Sequence, residues 1–481
     1  MRRVENRPSQ QPPRAAVIAT ADAAGTEQRW LVDSRYQLAI TLMFYTMMFF
    51  MTVPTDVLNP RPNVMVPEPN LLYRALKLLL LASALGVLLW RHAFAVLLAR
   101  TVNKFFIMFL ALVLLSATWS IEPTITLTRF LVVCIACLVC WACVVVGWYD
   151  RRFQEILRSF FTALMIGSLI FGIIAPDLAR EHGTGISLEG AWKGLLGQKN
   201  GLGHAASITV FLWVYGLLTR EVKFWQFTFG FGAAAACLLL SHSSTSLLSA
   251  LFSSMLLLLL LRGPKGSGRL MSFIVVVFVT MILLYSLAVL NVFPGLDFLL
   301  QPIINVTGKD ATFSGRTQIW TVIREHISHH PLLGTGYGAY WIGPVPTSPS
   351  SVFINRYSNF YPTESHNGYL DTINDLGYVG LVCLLGYLLV FLRQSLALLR
   401  IDYRQATLYL ALLFEEMINN LTESDWLEPT AFATPVMALA TFALARALLE
   451  QRWRAQSQQQ IPLPAARPGR RFRTRSSGNV T

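Results

Sequence analysis

Uninterrupted apolar runs recur along this chain at close to the length that crosses a lipid bilayer, and this constrains its fold more than any motif does. A hydrocarbon layer of about 30 Å takes roughly 20 apolar residues of helix to cross. Runs near that length fall at about 36–53, 71–90, 105–118, 126–148, 160–175, 203–218, 224–240, 246–261, 271–292, 376–392, 406–421 and 430–449, so about twelve spans are expected. The runs are continuous rather than alternating. That excludes a transmembrane barrel, whose strands alternate faces and need only about 10 residues. Composition agrees: hydrophobic residues make up 54% of 481 and charged ones 14%, against roughly a quarter charged in soluble domains. The expected fold is an all-α polytopic membrane protein. Cys134, Cys137, Cys140 and Cys143 recur every third residue inside one run. They read as small, packable residues of a helix face rather than the paired turn ligands that zinc takes.

Basic residues in short connections set the orientation. With the N-terminus inside, the inner connections carry Arg91, Arg100, Lys104, Arg151, Arg152, Arg158, Arg220, Lys223, Arg262 and several more up to Arg404. The outer short connections carry only Arg61, Arg180, Lys193 and Lys199. Both termini are therefore expected in the cytoplasm. The chain divides into a basic arm (1–35), nine spans (36–292), a large outer loop (293–368), three spans (369–449) and a basic tail (450–481). Arm and tail mix Arg with Pro and Gln, cannot bury a core, and are expected to be disordered, the tail near anionic lipid headgroups. The net charge of +13 thus speaks of topology, and without a folded reader no nucleic acid is expected as a partner.

The polar residues gather on the outer side. Glu364-Ser365-His366-Asn367-Gly368-Tyr369 closes the largest polar stretch just before a span and puts an imidazole, a base near neutrality, at a membrane surface. The residues alone support a histidine capping the next helix equally well. Ser314-Gly315-Arg316 opens an expected helix running to His329, with Ile319, Val322, Ile323 and Ile327 on one side and Trp320 suited to an interfacial position. Arg316, in its first turn, suits phosphate oxygens or an acidic neighbour. The glycines around Tyr337, with Tyr340 and Trp341, read as a tight turn presenting ring faces. No strand–turn–helix unit surrounds them, which rules out a nucleotide loop. His326, His329 and His330 have little carboxylate support for a metal. Arg74, Lys77 and Arg129, near the outer ends of two spans, either join Lys199 and Arg316 in a cationic surface for a diphosphate or snorkel to headgroups. Glu415 and Glu416, in the eleventh span, and Asn419, Asn420, Glu423 and Asp425 at its outer end form an acidic, amide-rich rim suited to sugar hydroxyls or to those cations.

Several motifs carry a resemblance. Gly197-Gln198-Lys199-Asn200-Gly201-Leu202-Gly203 precedes a span, Ser241-His242-Ser243-Ser244-Thr245-Ser246 links two spans, and Ser314-Gly315-Arg316 is followed by Trp320. His330-Pro331-Leu332-Leu333-Gly334-Thr335-Gly336-Tyr337-Gly338, Ser365-His366-Asn367-Gly368-Tyr369 and Asn420-Leu421-Thr422-Glu423-Ser424 follow in order. Together they resemble the O-antigen ligase and polysaccharide polymerase (Wzy-like) superfamily, most closely its exopolysaccharide polymerase branch. The resemblance implies a GT-C-like glycosyltransferase of the bacterial inner membrane that works at the periplasmic face on glycan carried by undecaprenyl diphosphate. It implies no metal and no cofactor, and flippase and chain-length regulator proteins as partners beside membrane lipids. By motif, His366 becomes the base and Arg316 holds the diphosphate, with Lys199, Asn200, Asn367, Arg74, Lys77, Arg129, Tyr337 and Glu423 as substrate-binding residues. The family's ligases often carry a further arginine in the serine-rich linker; here that region offers Ser244 and Thr245, and the second phosphate contact is assigned to Lys199. The competing readings are a ligase that attaches finished glycan to lipid A or protein, and a transporter, although no paired halves of the kind transporters show are visible.

Overall fold

The computed structural model describes residues 34–54, 71–147, 151–181, 190–263, 272–273, 275–280, 284, 316–343, 348–356 and 361–459. The expected disordered arm up to residue 33, the tail beyond Gln459, most of the run 271–292, and Ser314 and Gly315 lie outside them.

The main elements are α1 (Ser34–Thr52), α2 (Leu71–Trp90), α3 (His92–Thr101), α4 (Lys104–Leu115), α5 (Pro123–Val146), α6 (Arg151–Ile174), α7 (Lys199–Leu218), α8 (Phe224–Leu240), α9 (Ser244–Arg262), α10 (Arg316–His329), α11 (Gly368–Leu398), α12 (Tyr403–Asn419) and α13 (Ala433–Gln459). Every expected run except 271–292 coincides with one of these helices. Seven of the described helices are long and apolar enough to cross a membrane, or eight when the pair at residues 92–118, bent by 100°, counts as one span. The protein is an all-α polytopic membrane protein. Asn103 makes the bend: its side chain caps α4 by accepting from Phe105 N and Phe106 N, and its amide donates to Tyr387 O at 2.9 Å, fixing the corner to α11. Leu71, Leu72, Leu78 and Leu79 of α2 stay exposed, as expected where the surrounding solvent is lipid.

Inside the bundle, α5 packs between α2 and α13. Cys137, Cys140 and Cys143 are buried and unpaired by disulfide, and Cys140 Sγ donates to Pro435 O of α13 at 3.3 Å. α7, α9 and α12 meet at Glu415, which is fully buried. Its carboxylate accepts from the hydroxyls of Ser207, Ser249 (2.8 Å) and Ser253 (2.5 Å) and from the amide of Asn419 (3.0 Å). Glu415 thus lies inside the bundle, within the span that the sequence assigns to it. A carboxylate buried in lipid must find its donors within the protein, and the serines of two neighbouring helices supply them.

α11 is broken at Gly377, whose φ of 66° and ψ of −168° are not helical. The chain from Pro331 to Gly336 runs through the break. Tyr378 N and Val379 N donate to Pro331 O and Leu332 O, while Thr335 N and Gly336 N donate to Asn374 O and Asp375 O. The membrane-length part of α11 therefore starts just after Gly377, close to the expected residue 376, and its first two turns belong to the loop layer. One correction concerns the tail. α13 continues to Gln459, helped by the Arg446–Glu450 pair at 3.0 Å and by Trp453 lying 6.2 Å from the Phe94 ring, so the stretch from residue 450 begins as helix.

Candidate active site

α10 opens at Arg316, as the sequence predicts, but its apolar side faces inward: Ile319, Trp320, Val322, Ile323 and Ile327 are all buried, and α10 packs against α11. Trp320 is held by its indole N–H, which donates to Ser365 O at 2.9 Å. That bond fixes the residue just before His366. On the other side, Asn367 caps α11, its side-chain oxygen accepting from Tyr369 N and Leu370 N, so the capping role falls to the asparagine and not to the histidine. Gly368 N donates to Asn420 O (3.0 Å) and Glu423 O (2.8 Å), and Asn367 N to Ser424 Oγ (3.2 Å). These bonds seal the His366 loop onto the turn after α12. A Cβ at Gly368 would collide with the Asn420 side chain. His366 itself sits at φ 53°, a left-handed conformation that a non-glycine residue keeps only where its surroundings impose it.

Beside this clamp three side chains share one carboxylate. Glu423 Oε1 lies 3.1 Å from Arg316 Nη2 and 2.7 Å from Asn200 Nδ2, and Glu423 Oε2 lies 3.5 Å from His366 Nδ1. Glu364 Oε1 is 2.9 Å from the same imidazole nitrogen. The ring N–H is not aimed at either oxygen, so the attraction is ionic rather than a directed hydrogen bond. Burial works against the charged imidazole, but Glu364 and then Glu423 outweigh it and push His366 up to about 10. The His366 side chain is 26% exposed while Glu423 is 10% exposed, so an incoming molecule reaches the imidazole before the acid. The donor atoms of Glu364, His366 and Glu423 lie within 4.8 Å of one another, as do those of His204, Glu416 and Asp425, a spacing that a cation also accepts. His326, by contrast, lies 4.7 Å from the Tyr340 ring at a tilt of 57° and falls in neither group.

Beside this cluster is a cavity of about 200 Å³ whose wall includes Arg129, Tyr337, Trp341, Glu364, Asp371 and Glu428. Arg129 Nη2 donates to Trp341 O at 2.8 Å, and Tyr337 donates its hydroxyl to Leu427 O. Both rings are largely buried. They line an internal hollow instead of an exposed face, which corrects the expectation of a turn presenting them. The turn itself forms as expected, with Gly334, Gly336 and Gly338 at φ of 64°, 104° and 64°.

The remaining predicted residues are placed as follows. Lys199 is the first residue of α7 and its backbone N–H donates to Glu181 Oε1 at 3.1 Å. Arg74 and Lys77 are exposed on α2, and no described contact joins them to the Glu423 cluster. Asn367 uses its oxygen on the cap and its amide on Leu421 O at 3.3 Å. Three features carried little sequence signal: Glu364, visible only as an acid two residues before His366; the cavity acids Asp371, Asp375 and Glu428; and His204. Buried in α7, His204 lies 2.9 Å from Asp425 and 3.4 Å from Glu416, a pairing across more than 200 positions that no local pattern announces.

Residues 229–385 match the Wzy_C family, described as O-antigen ligase. The stretch holds both Arg316 and His366. By this stretch, which is less than half of the chain, the protein is similar to the Wzy-like O-antigen ligase superfamily. It is also 31% identical over 85 residues to the exopolysaccharide production protein ExoQ of Rhizobium meliloti (strain 1021), a match covering 17% of this chain and 19% of that protein. The residues Asn200 and Glu423, which complete the site, lie outside the matched stretch.

Proposed function

We propose that the protein is an exopolysaccharide polymerase, transferring glycan from an undecaprenyl diphosphate-linked repeat unit to a hydroxyl of another such unit at the periplasmic face of the bacterial inner membrane. The observation that carries this reading is the convergence of Arg316, Asn200 and His366 on the single carboxylate of Glu423. In the reaction, the acceptor oxygen bonds to the anomeric carbon as its proton leaves to the His366 cluster. The bond from that carbon to the phosphate oxygen breaks, and the diphosphate departs with the electron pair. A hydroxyl is a poor nucleophile, so taking its proton lowers the barrier. Arg316 stabilises the departing charge with a planar fork that fits two phosphate oxygens, and the N-terminus of α7 at Lys199 and Asn200 adds a positive dipole end. Direct displacement inverts the anomeric centre.

Purified protein supplied with lipid-linked oligosaccharide tests this. His366→Ala is expected to lose about 10²–10⁴-fold of the rate, the usual contribution of a general base, and Arg316→Lys to be nearly as harmful because the fork is lost. A His366→Ala enzyme at wild-type rate sinks the assignment. The family's description as O-antigen ligase favours a second reading, attachment of finished polymer to lipid A or protein. Glycan from a deletion strain separates the two: single repeat units left on the carrier mean polymerase, and long unattached polymer means ligase.

A further inference from the structure

The cavity beside His366 differs in charge from the Arg316 side. Its wall carries the carboxylates of Glu364, Asp371, Asp375 and Glu428 against one cation, Arg129, which is already bonded to Trp341 O. Burial pushes Glu428 up to about 7 and Asp375 to about 8, so near neutrality much of the wall is protonated and donates as well as accepts. Carboxyl groups that both donate and accept match a ligand that is rich in hydroxyls and carries no charge. Tyr337, Trp341 and Trp426 also line it, and the negative quadrupole of an aromatic ring suits the C–H side of a sugar ring. The volume of about 200 Å³ lies below the roughly 300–1,000 Å³ of pockets for drug-sized ligands, which leaves room for one sugar ring. Glu364 belongs to both sites: it lines the cavity and lies 2.9 Å from His366 Nδ1. A ring in the cavity therefore sits next to the imidazole.

We propose that this cavity is the subsite for one uncharged pyranose ring of the acceptor glycan, with Glu364, Asp371 and Glu428 accepting from its hydroxyls and Trp341 and Trp426 supporting its face. This deepens the transferase reading and rests on it for the word acceptor, while ring binding stands by itself. Binding is measured by saturation-transfer NMR on full-length His366→Ala protein in nanodiscs, which stops turnover, with methyl β-D-glucopyranoside and methyl β-D-glucuronide as probes. The glucoside is expected to bind, and the glucuronide to bind at least about tenfold more weakly, because its carboxylate loses its hydration among carboxyl groups and a charge taken from water without a partner is costly. Glu428→Gln lowers glucoside affinity by about tenfold, the scale of one hydrogen bond to a charged group. Trp426→Ala, which leaves every cavity carboxylate in place, is a second variant with the same expected direction. Equal binding of the two probes, or glucoside binding unmoved by both variants, overturns the proposal. Transfer activity is scored separately with lipid-linked oligosaccharide: ring binding without any transfer overturns the transferase reading alone, and transfer without ring binding overturns the subsite alone.

Discussion

At the scale of single residues, Glu423 decides what the site is. Arg316 and His366 would repel one another if both were charged with nothing between them, and the shared carboxylate lets them stand within reach of one substrate. The same proximity alters the histidine. A base near neutrality is what the sequence leads one to expect, yet Glu364 and Glu423 carry the imidazole up to about 10, so the resting protein holds it protonated. Because its folded value is raised above the ordinary histidine value of about 6.5, the stability this pairing contributes is complete below that pH and is lost as pH rises through about 10. Activity follows a separate rule. If neutral His366 takes the acceptor proton, the rate climbs with pH towards about 10, and Glu423→Gln, which removes one opposite charge, moves that rise to lower pH. A rate flat over the neutral range that falls on approaching that value gives the proton to Glu364 or Glu423 instead, with the imidazolium orienting it.

Among the elements, α11 matters most, because its break turns one long helix into a spanning part and a site-bearing part. Gly377 permits the break: a Cβ there would meet the Leu332 backbone, and φ is positive. Gly334 is under the same restriction against the Asp375 backbone. Gly377→Ala is therefore expected to unseat the loop from Pro331 to Gly338 and to lower the melting temperature and the transfer rate together. Asn367→Ala removes the cap of α11 together with the bond to Leu421 O and is expected to cost about 1–2 kcal/mol, read as a lower melting temperature in detergent. Loss of transfer beyond the share of unfolded protein would mean that the cap also aims His366. In α12, by contrast, Glu415 joins three helices. Glu415→Ala leaves the hydroxyls of Ser207, Ser249 and Ser253 without their acceptor, at about 1–3 kcal/mol for each donor left unsatisfied. That loss is expected to exceed the effect of any single serine-to-alanine change, and thermal melting of the variant series checks the order.

For the whole molecule, the arrangement requires that the His366 loop and the turn after α12 lie on one side of the membrane and the basic connections on the other. A cysteine placed at Thr363 in a background lacking the native thiols is expected to react with an impermeant maleimide added to intact cells. One at Arg404 should react only after permeabilisation. Labelling of both positions from the same side would overturn the orientation read from the basic residues.

The class of fold, the positions of the described helices and the local motifs of the site were all legible in the order of residues. Apolar run length against bilayer thickness is a one-dimensional quantity, and the motifs around Arg316, His366 and Glu423 are each local. Only the tertiary structure decided that Glu423 gathers Arg316, Asn200 and His366, that Asn367 rather than His366 caps α11, that Glu415 belongs to the interior, and that Tyr337 and Trp341 line a hollow instead of a surface. Each of these is a pairing between residues far apart along the chain. Burial and charge compensation are settled by the partner that packing brings alongside, and that partner is not written in the neighbouring residues.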